Sequence, residues 1–236
     1  MQRVIGVCGR KGGSGKTTVA VHLAAEIATR IKARGGTVVL VDCDQQGSAT
    51  YWSEPGNLPM AVQHMPLESE AQVGEWSRAI RAIQAEVIVL DSPPHLDAAL
   101  GGVIGLSDVA VVPCGPSGLD LMATAETVGL IREIREARGE GKPKVVLVPN
   151  RTDHRTASGR ELTGALTDIG ELVAPEIRAR TAFSDAFNEG QWVGGYAPGS
   201  PAHEEMRELT VFVLRQLPQK VKGKAHEQQK SRAQGA

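Results

Sequence analysis

Lys11-Gly12-Gly13-Ser14-Gly15-Lys16-Thr17-Thr18 lies between an apolar run, Val4-Ile5-Gly6-Val7-Cys8, and a helical pattern from Val19 to Lys32. Strand, glycine-rich loop and helix, in that order, are the setting of a phosphate-binding loop. Glycines let backbone N–H groups turn inward around an anion, because no Cβ obstructs the tight turn. The helix opening at Lys16 adds unpaired N–H groups and the positive end of its dipole. Lys16 is expected against the β- and γ-phosphates of a nucleoside triphosphate, and the Thr17 hydroxyl on Mg²⁺. Gly12, Gly13, Ser14, Gly15 and Thr18 complete the expected cradle.

The loop departs from the common pattern G-x-x-x-x-G-K-[ST] at its first position, where Arg10 replaces Gly. A second lysine, Lys11, directly precedes the glycine pair. One reading makes it a solvated loop residue. The other makes it a cation set too early in the loop to serve its own nucleotide, and free to reach one held by a second subunit. The run K-G-G-x-G-K-T-T resembles the deviant phosphate loop of the partition ATPases, the ParA/MinD superfamily.

Composition narrows the class. The chain has 236 residues, 41% of them hydrophobic and 3% aromatic, enough for one α/β domain with a sizeable core. Its formal net charge of −1 announces no global attraction to nucleic acid, so any basic surface must be local. Cys8, Cys43 and Cys114 end apolar runs and form no C-x-x-C pair, as expected of core residues in a reducing compartment. No signal peptide precedes the first strand and no run approaches a membrane span, so the expected location is the cytoplasm.

Short runs rich in Val, Ile and Leu recur at Thr37–Val41, Glu86–Leu90, Val109–Val112 and Lys144–Val148. They lack alternation, as strands buried on both faces do. Helical patterns at Val73–Gln84, Leu119–Ala137 and Ser158–Thr167 separate them, and weaker strand signals lie at Met60–Met65 and Leu172–Ile177. The expected fold is α/β: a doubly wound, mostly parallel sheet flanked by helices, of the P-loop NTPase type. His203–Leu217 reads as a final helix, so residues 1–217 are expected to form a single ATPase domain. Residues 218–236 carry Lys220, Lys222, Lys224, Lys230 and Arg232, a basic composition that points to a disordered tail.

Ligands in such sheets gather at the carboxyl ends of the strands. Asp42, Asp44 and Asp91 fall there. An apolar strand ending in Asp suits a carboxylate held near Mg²⁺, although a single such Asp also serves as a helix N-cap. Asp42-Cys43-Asp44-Gln45-Gln46-Gly47-Ser48 resembles the family segment D-x-D-P-Q-G-x, with Gln45 in place of proline. The resemblance implies that Asp44 positions the attacking water and that Asp42 answers to the γ-phosphate and Mg²⁺. Pro113-Cys114-Gly115-Pro116-Ser117-Gly118-Leu119-Asp120-Leu121 resembles the family's P-x-x-P-S-x-x-D-L, or is an ordinary turn capped by Ser117. Asn150 resembles the family's adenine-holding amide, or is a turn residue.

The resemblance, which covers residue 2 to about 217, further implies a slow ATPase that forms a homodimer with ATP and coats DNA without sequence preference on the nucleoid. A small ParB-like or adaptor activator would stimulate it, and the cargo would be a plasmid, a chromosome or an organelle. Arg151, Arg155, Arg160, Arg178 and Arg180 are the candidate DNA contacts, each also readable as a solvated charge. A MinD-like membrane ATPase is a rival, but residues 219–236 offer only Val221 and alanines for a lipid face. A small-molecule ligase or kinase on the same loop is the other.

Overall fold

The computed structural model describes residues 2–67, 69–94 and 97–218, the side chain of Asp97 excepted. The basic tail at 219–236 lies outside the described residues. The elements run β1 (Arg3–Val7), α1 (Lys16–Lys32), β2 (Val38–Asp42), α2 (Ser48–Ser53), β3 (Ala61–His64), α3 (Val73–Ala82), β4 (Val87–Asp91), α4 (Asp97–Leu106) and β5 (Val109–Cys114). Then follow α5 (Gly118–Arg138), β6 (Lys144–Thr152), α6 (Ala157–Thr167), β7 (Leu172–Val173), β8 (Ile177–Arg178), α7 (Thr181–Asn188), α8 (Val193–Tyr196) and α9 (Pro201–Gln216).

The strands form one sheet in the order β3-β2-β4-β1-β5-β6-β7, with β8 paired to β6. Every pairing is parallel. Successive residues of each strand serve opposite faces, which is why the runs read as continuously apolar. Ile5, Val7, Leu40, Val87 and Val89 pack with α1 and α9; Val4, Val41, Ile88, Leu90 and Leu147 pack with α3, α4, α5 and α6. Leu40 is fully buried, and its truncation to Ala would cost about 2–5 kcal/mol.

β1 is the topological pivot. Its neighbours are β4 on one side and β5 on the other, so the chain leaves it in opposite directions and opens a crevice at its carboxyl end. The expected strands are present with ends shifted by a few residues. β6 runs past Val148 to Thr152, placing Asn150 and Arg151 within it. The Leu172–Ile177 signal resolves into two short strands separated by Ala174-Pro175-Glu176, where proline cannot donate to a ladder. α4 gave no periodic signal because its apolar residues leave little polar face: Leu100, Val103 and Ile104 are buried between the sheet and its neighbours.

Candidate functional site

The connection from β1 to α1 wraps the crevice. Gly13 (φ 73°) and Gly15 (φ 91°) adopt left-handed backbone, which glycine reaches without a steric penalty. A Cβ on Gly15 would also collide with the Asn150 amide. That amide is buried and donates to the Ser14 carbonyl at 2.8 Å, so β6 fixes the loop from the side. Lys16 is 7% exposed, and its Nζ donates to the Lys11 carbonyl at 2.9 Å, curling back over the loop that it closes. Burial lowers its pKa, opposed by the carboxylates of Asp91 and Asp44.

Lys11 points elsewhere. Its Nζ lies 2.8 Å from Asp120 Oδ1 in the first turn of α5. Asp120 also meets the Ser117 hydroxyl, which caps that helix by accepting from the Asp120 N–H at 3.1 Å. Burial pushes the Asp120 carboxyl up, and the hydrogen bonds from Lys11 and Ser117 overcome it, holding the group below its ordinary range. Asp120 lies in the Pro113–Leu121 segment, whose sequence alone does not assign it this role. The Ser-x-x-Asp spacing at a helix start was the available signal.

The acidic residues take distinct positions. Asp42 and Asp91 are register partners at the ends of β2 and β4. Asp42 Oδ2 accepts from the Thr50 N–H at 2.9 Å and the Thr50 hydroxyl at 3.0 Å, and Oδ1 accepts from the Asp44 N–H at 3.2 Å. Asp42 therefore holds the segment 44–50 together. Asp91 is 1% exposed, and both its carboxylate oxygens are buried without a well-formed hydrogen bond. Burial raises its pKa to about 7, with the nearby Thr17 hydroxyl acting against that rise and Asp42 adding to it. A buried, under-satisfied carboxylate beside Thr17 suits a divalent cation. Among the described residues no group of three or more His, Cys, Asp or Glu side chains could hold a metal alone, so Mg²⁺ here would depend on the nucleotide's phosphates for further ligands. Asp44 is half-buried; its carboxylate accepts from the Gln46 N–H at 3.1 Å, and its carbonyl meets His64 Nε2 at 2.9 Å.

Beside the loop opens a cavity of about 720 Å³. Thr17, Thr18, Asn150 and Arg151 line its polar side, while Trp52, Phe183 and Phe187 line an apolar side. Polar groups converging on one edge of an apolar cleft fit a nucleoside. Arg178 and Arg180 stand on the same rim, and with Arg155 they also line an adjoining cleft. The late arginines are mostly paired: Arg155 with Asp153 at 2.7 Å, Arg178 with Glu176 at 2.9 Å and Arg180 with Glu205 at 2.6 Å. Arg160 donates to the His154 carbonyl at 2.8 Å. Cys8, Cys43 and Cys114 are free, buried thiols. Among the described residues no helix is long and apolar enough to cross a membrane.

Comparison with known proteins bears on the family of the chain. A family model described as the CobQ/CobB/MinD/ParA nucleotide binding domain matches residues 5–193. A maintenance of carboxysome distribution protein A from Gloeobacter kilaueensis is 42% identical over 133 residues, which span 53% of this chain and 55% of that protein. The protein of the same name from Halothiobacillus neapolitanus is 29% identical over 213 residues, 89% of this chain and 95% of its own length. A solved apo McdA from Cyanothece superposes with a TM-score of 0.73 at 17% identity, covering 91% of this chain and all of that one, a likeness of fold. The loop, the carboxylates at the strand ends and the family match together place this chain in the ParA/MinD family of nucleotide-binding domains.

Proposed function

We propose that this chain is a ParA-type ATPase, an ATP-driven switch that dimerises around nucleotide and positions a large cargo. The observation that supports it most is the division of labour between two lysines. Lys16 is buried in the cradle, while Lys11 is 35% exposed and held at the cradle's mouth by Asp120. A cation in that place can meet the phosphates of a second copy. The loop N–H groups of Gly12 to Thr18 and Lys16 would bind the phosphates, and Asn150 would stand beside the adenine. Thr17 and Asp91 would hold Mg²⁺, with Asp42 behind them; the ion would neutralise charge on the transferred phosphoryl group. Asp44 would position the attacking water rather than take its proton, since a carboxylate is a far weaker base than hydroxide. Turnover would then be slow until an activator completes the site.

The names of the relatives, carboxysome distribution and chromosome partitioning among them, favour positioning over small-molecule chemistry. In this reading the ATP dimer binds DNA without sequence preference, and a ParB-like or adaptor protein triggers hydrolysis and release. Light scattering with ATP and Mg²⁺ tests the core of it. The wild-type chain is expected to double in mass and Lys11→Ala to stay monomeric while still binding nucleotide. A normal dimer from Lys11→Ala would return Lys11 to the solvated-loop reading.

A further inference from the structure

A buried carboxylate stripped of its cation destabilises whatever state contains it. Asp120, with 8% of its side chain exposed, has Lys11 as its close ion-pair partner. If Lys11 leaves to meet a second chain's nucleotide, that loss falls on Asp120. Another cation stands next to it. A Cβ placed on Gly115 would lie 3.0 Å from Asp120 Oδ2 and 3.1 Å from Arg151 Nη2. The absence of a side chain at Gly115 is what keeps the space between them open.

Arg151 differs from the other late arginines. Arg155, Arg178 and Arg180 are committed to carboxylates, whereas the Arg151 side chain makes no hydrogen bond or ion pair among the described residues. It is exposed, and it is the one non-glycine residue among those described with a positive φ, 55°. The register of β6 against β8 shifts at this point, between Asn150 and Thr152. Backbone of this kind persists where the surroundings enforce it, and it concentrates at functional sites. The charge of Arg151 already helps to hold the Asp120 carboxyl low.

We propose that Arg151 is a positioning residue for Lys11: it closes across Gly115 onto Asp120 as Lys11 departs, so that the buried carboxylate keeps a cation throughout. The inference rests on the dimer reading above. It treats Arg151 and Lys11 as alternating partners of one carboxylate, with ATP-driven association as the step that exchanges them.

Sedimentation with a saturating non-hydrolysable ATP analogue and Mg²⁺ tests it. Arg151→Gln, which removes the charge and leaves a shorter polar side chain, is expected to weaken dimerisation about tenfold, in the range of couplings between contacting charges. Arg151→Lys should recover most of the loss. In an Asp120→Asn background the carboxylate needs no cation, and adding Arg151→Gln should change dimerisation less than about twofold. The inference is overturned by an Arg151→Gln chain that dimerises like wild type. It is equally overturned by the same loss in the Asp120→Asn background, or by an Asp120→Asn chain that cannot dimerise. A wild-type chain that stays monomeric removes the dimer reading and this inference together, whereas a wild-type dimer indifferent to Arg151 removes the inference alone.

Discussion

Burial lowers the pKa of Lys16 while the carboxylates of Asp91 and Asp44 oppose that fall, and the balance makes it a sensitive position. Lys16→Ala is expected to weaken ATP binding about a hundredfold, the loss of a charge-assisted contact of about 3 kcal/mol. Isothermal calorimetry would show it; an affinity unchanged from wild type would displace Lys16 from the phosphates. Asp44→Ala should behave in the opposite way. It is expected to bind ATP normally and slow single-turnover hydrolysis at least about tenfold, since a water left without orientation loses effective concentration. Hydrolysis at the wild-type rate would remove Asp44 from the reaction. The residues of the loop were legible in the sequence because their spacing is itself the chemistry. The pairing of Lys11 with Asp120 was not, because 109 positions separate them and only the packing of α5 beside the loop joins them. Asp42 shows the same limit: its place at a strand end was readable, but its grip on Thr50 depends on where α2 turns back.

α1 carries the loop at one end and is anchored at its middle by His22. That imidazole is fully buried, its Nδ1 accepts from the Val193 N–H of α8 at 3.1 Å, and Trp52 and Phe183 pack against its ring. Burial depresses its pKa to about 3. A folded-state pKa below the unfolded value of about 6.5 means that the unfolded chain binds the proton first as pH falls. Stability from this residue is therefore complete above about pH 6.5 and declines below it, by about 1.4 kcal/mol per unit until the folded pKa is reached. At pH 5 the loss is about 2 kcal/mol. His22→Leu should be less stable than wild type at pH 7.5, having lost the acceptor for Val193, but should flatten the slope between pH 6.5 and 4.5. Denaturant melts at several pH values would decide it, and an unchanged slope would mean that His22 is not the group that resists protonation. Elements with a clear apolar face, such as α3 and α9, were readable from sequence alone. α4 was not, because a helix apolar around most of its circumference has no period to detect.

Across the whole molecule the formal charge is −1, so any attraction to DNA would have to come from an uneven distribution of that charge. The sequence placed five arginines late in the chain, and the fold does gather Arg155, Arg178 and Arg180 around one cleft. It also supplies them with Asp153, Glu176 and Glu205, which no reading of basic residues alone would reveal. A paired arginine can still meet a phosphate, but it must first share or leave its carboxylate. Arg155 is the most available of these, with 90% of its side chain exposed. If this cleft is the DNA face, Asp153→Asn should tighten ATP-dependent binding to any duplex, because it frees the guanidinium while keeping an acceptor for the Arg155 N–H. Arg155→Ala should weaken binding equally for all sequences and lower the slope of log K against log salt by about one per cation removed. A dimer presents the face twice, so each change should count about twice when ATP is present, and hardly at all with ADP. Fluorescence anisotropy on two unrelated duplexes at several salt concentrations measures both quantities. Asp153→Asn and Arg155→Ala leaving the affinity and the salt slope unchanged would move the DNA contact off this cleft, and retention on anionic liposomes without ATP-dependent DNA binding would favour a membrane-bound switch instead.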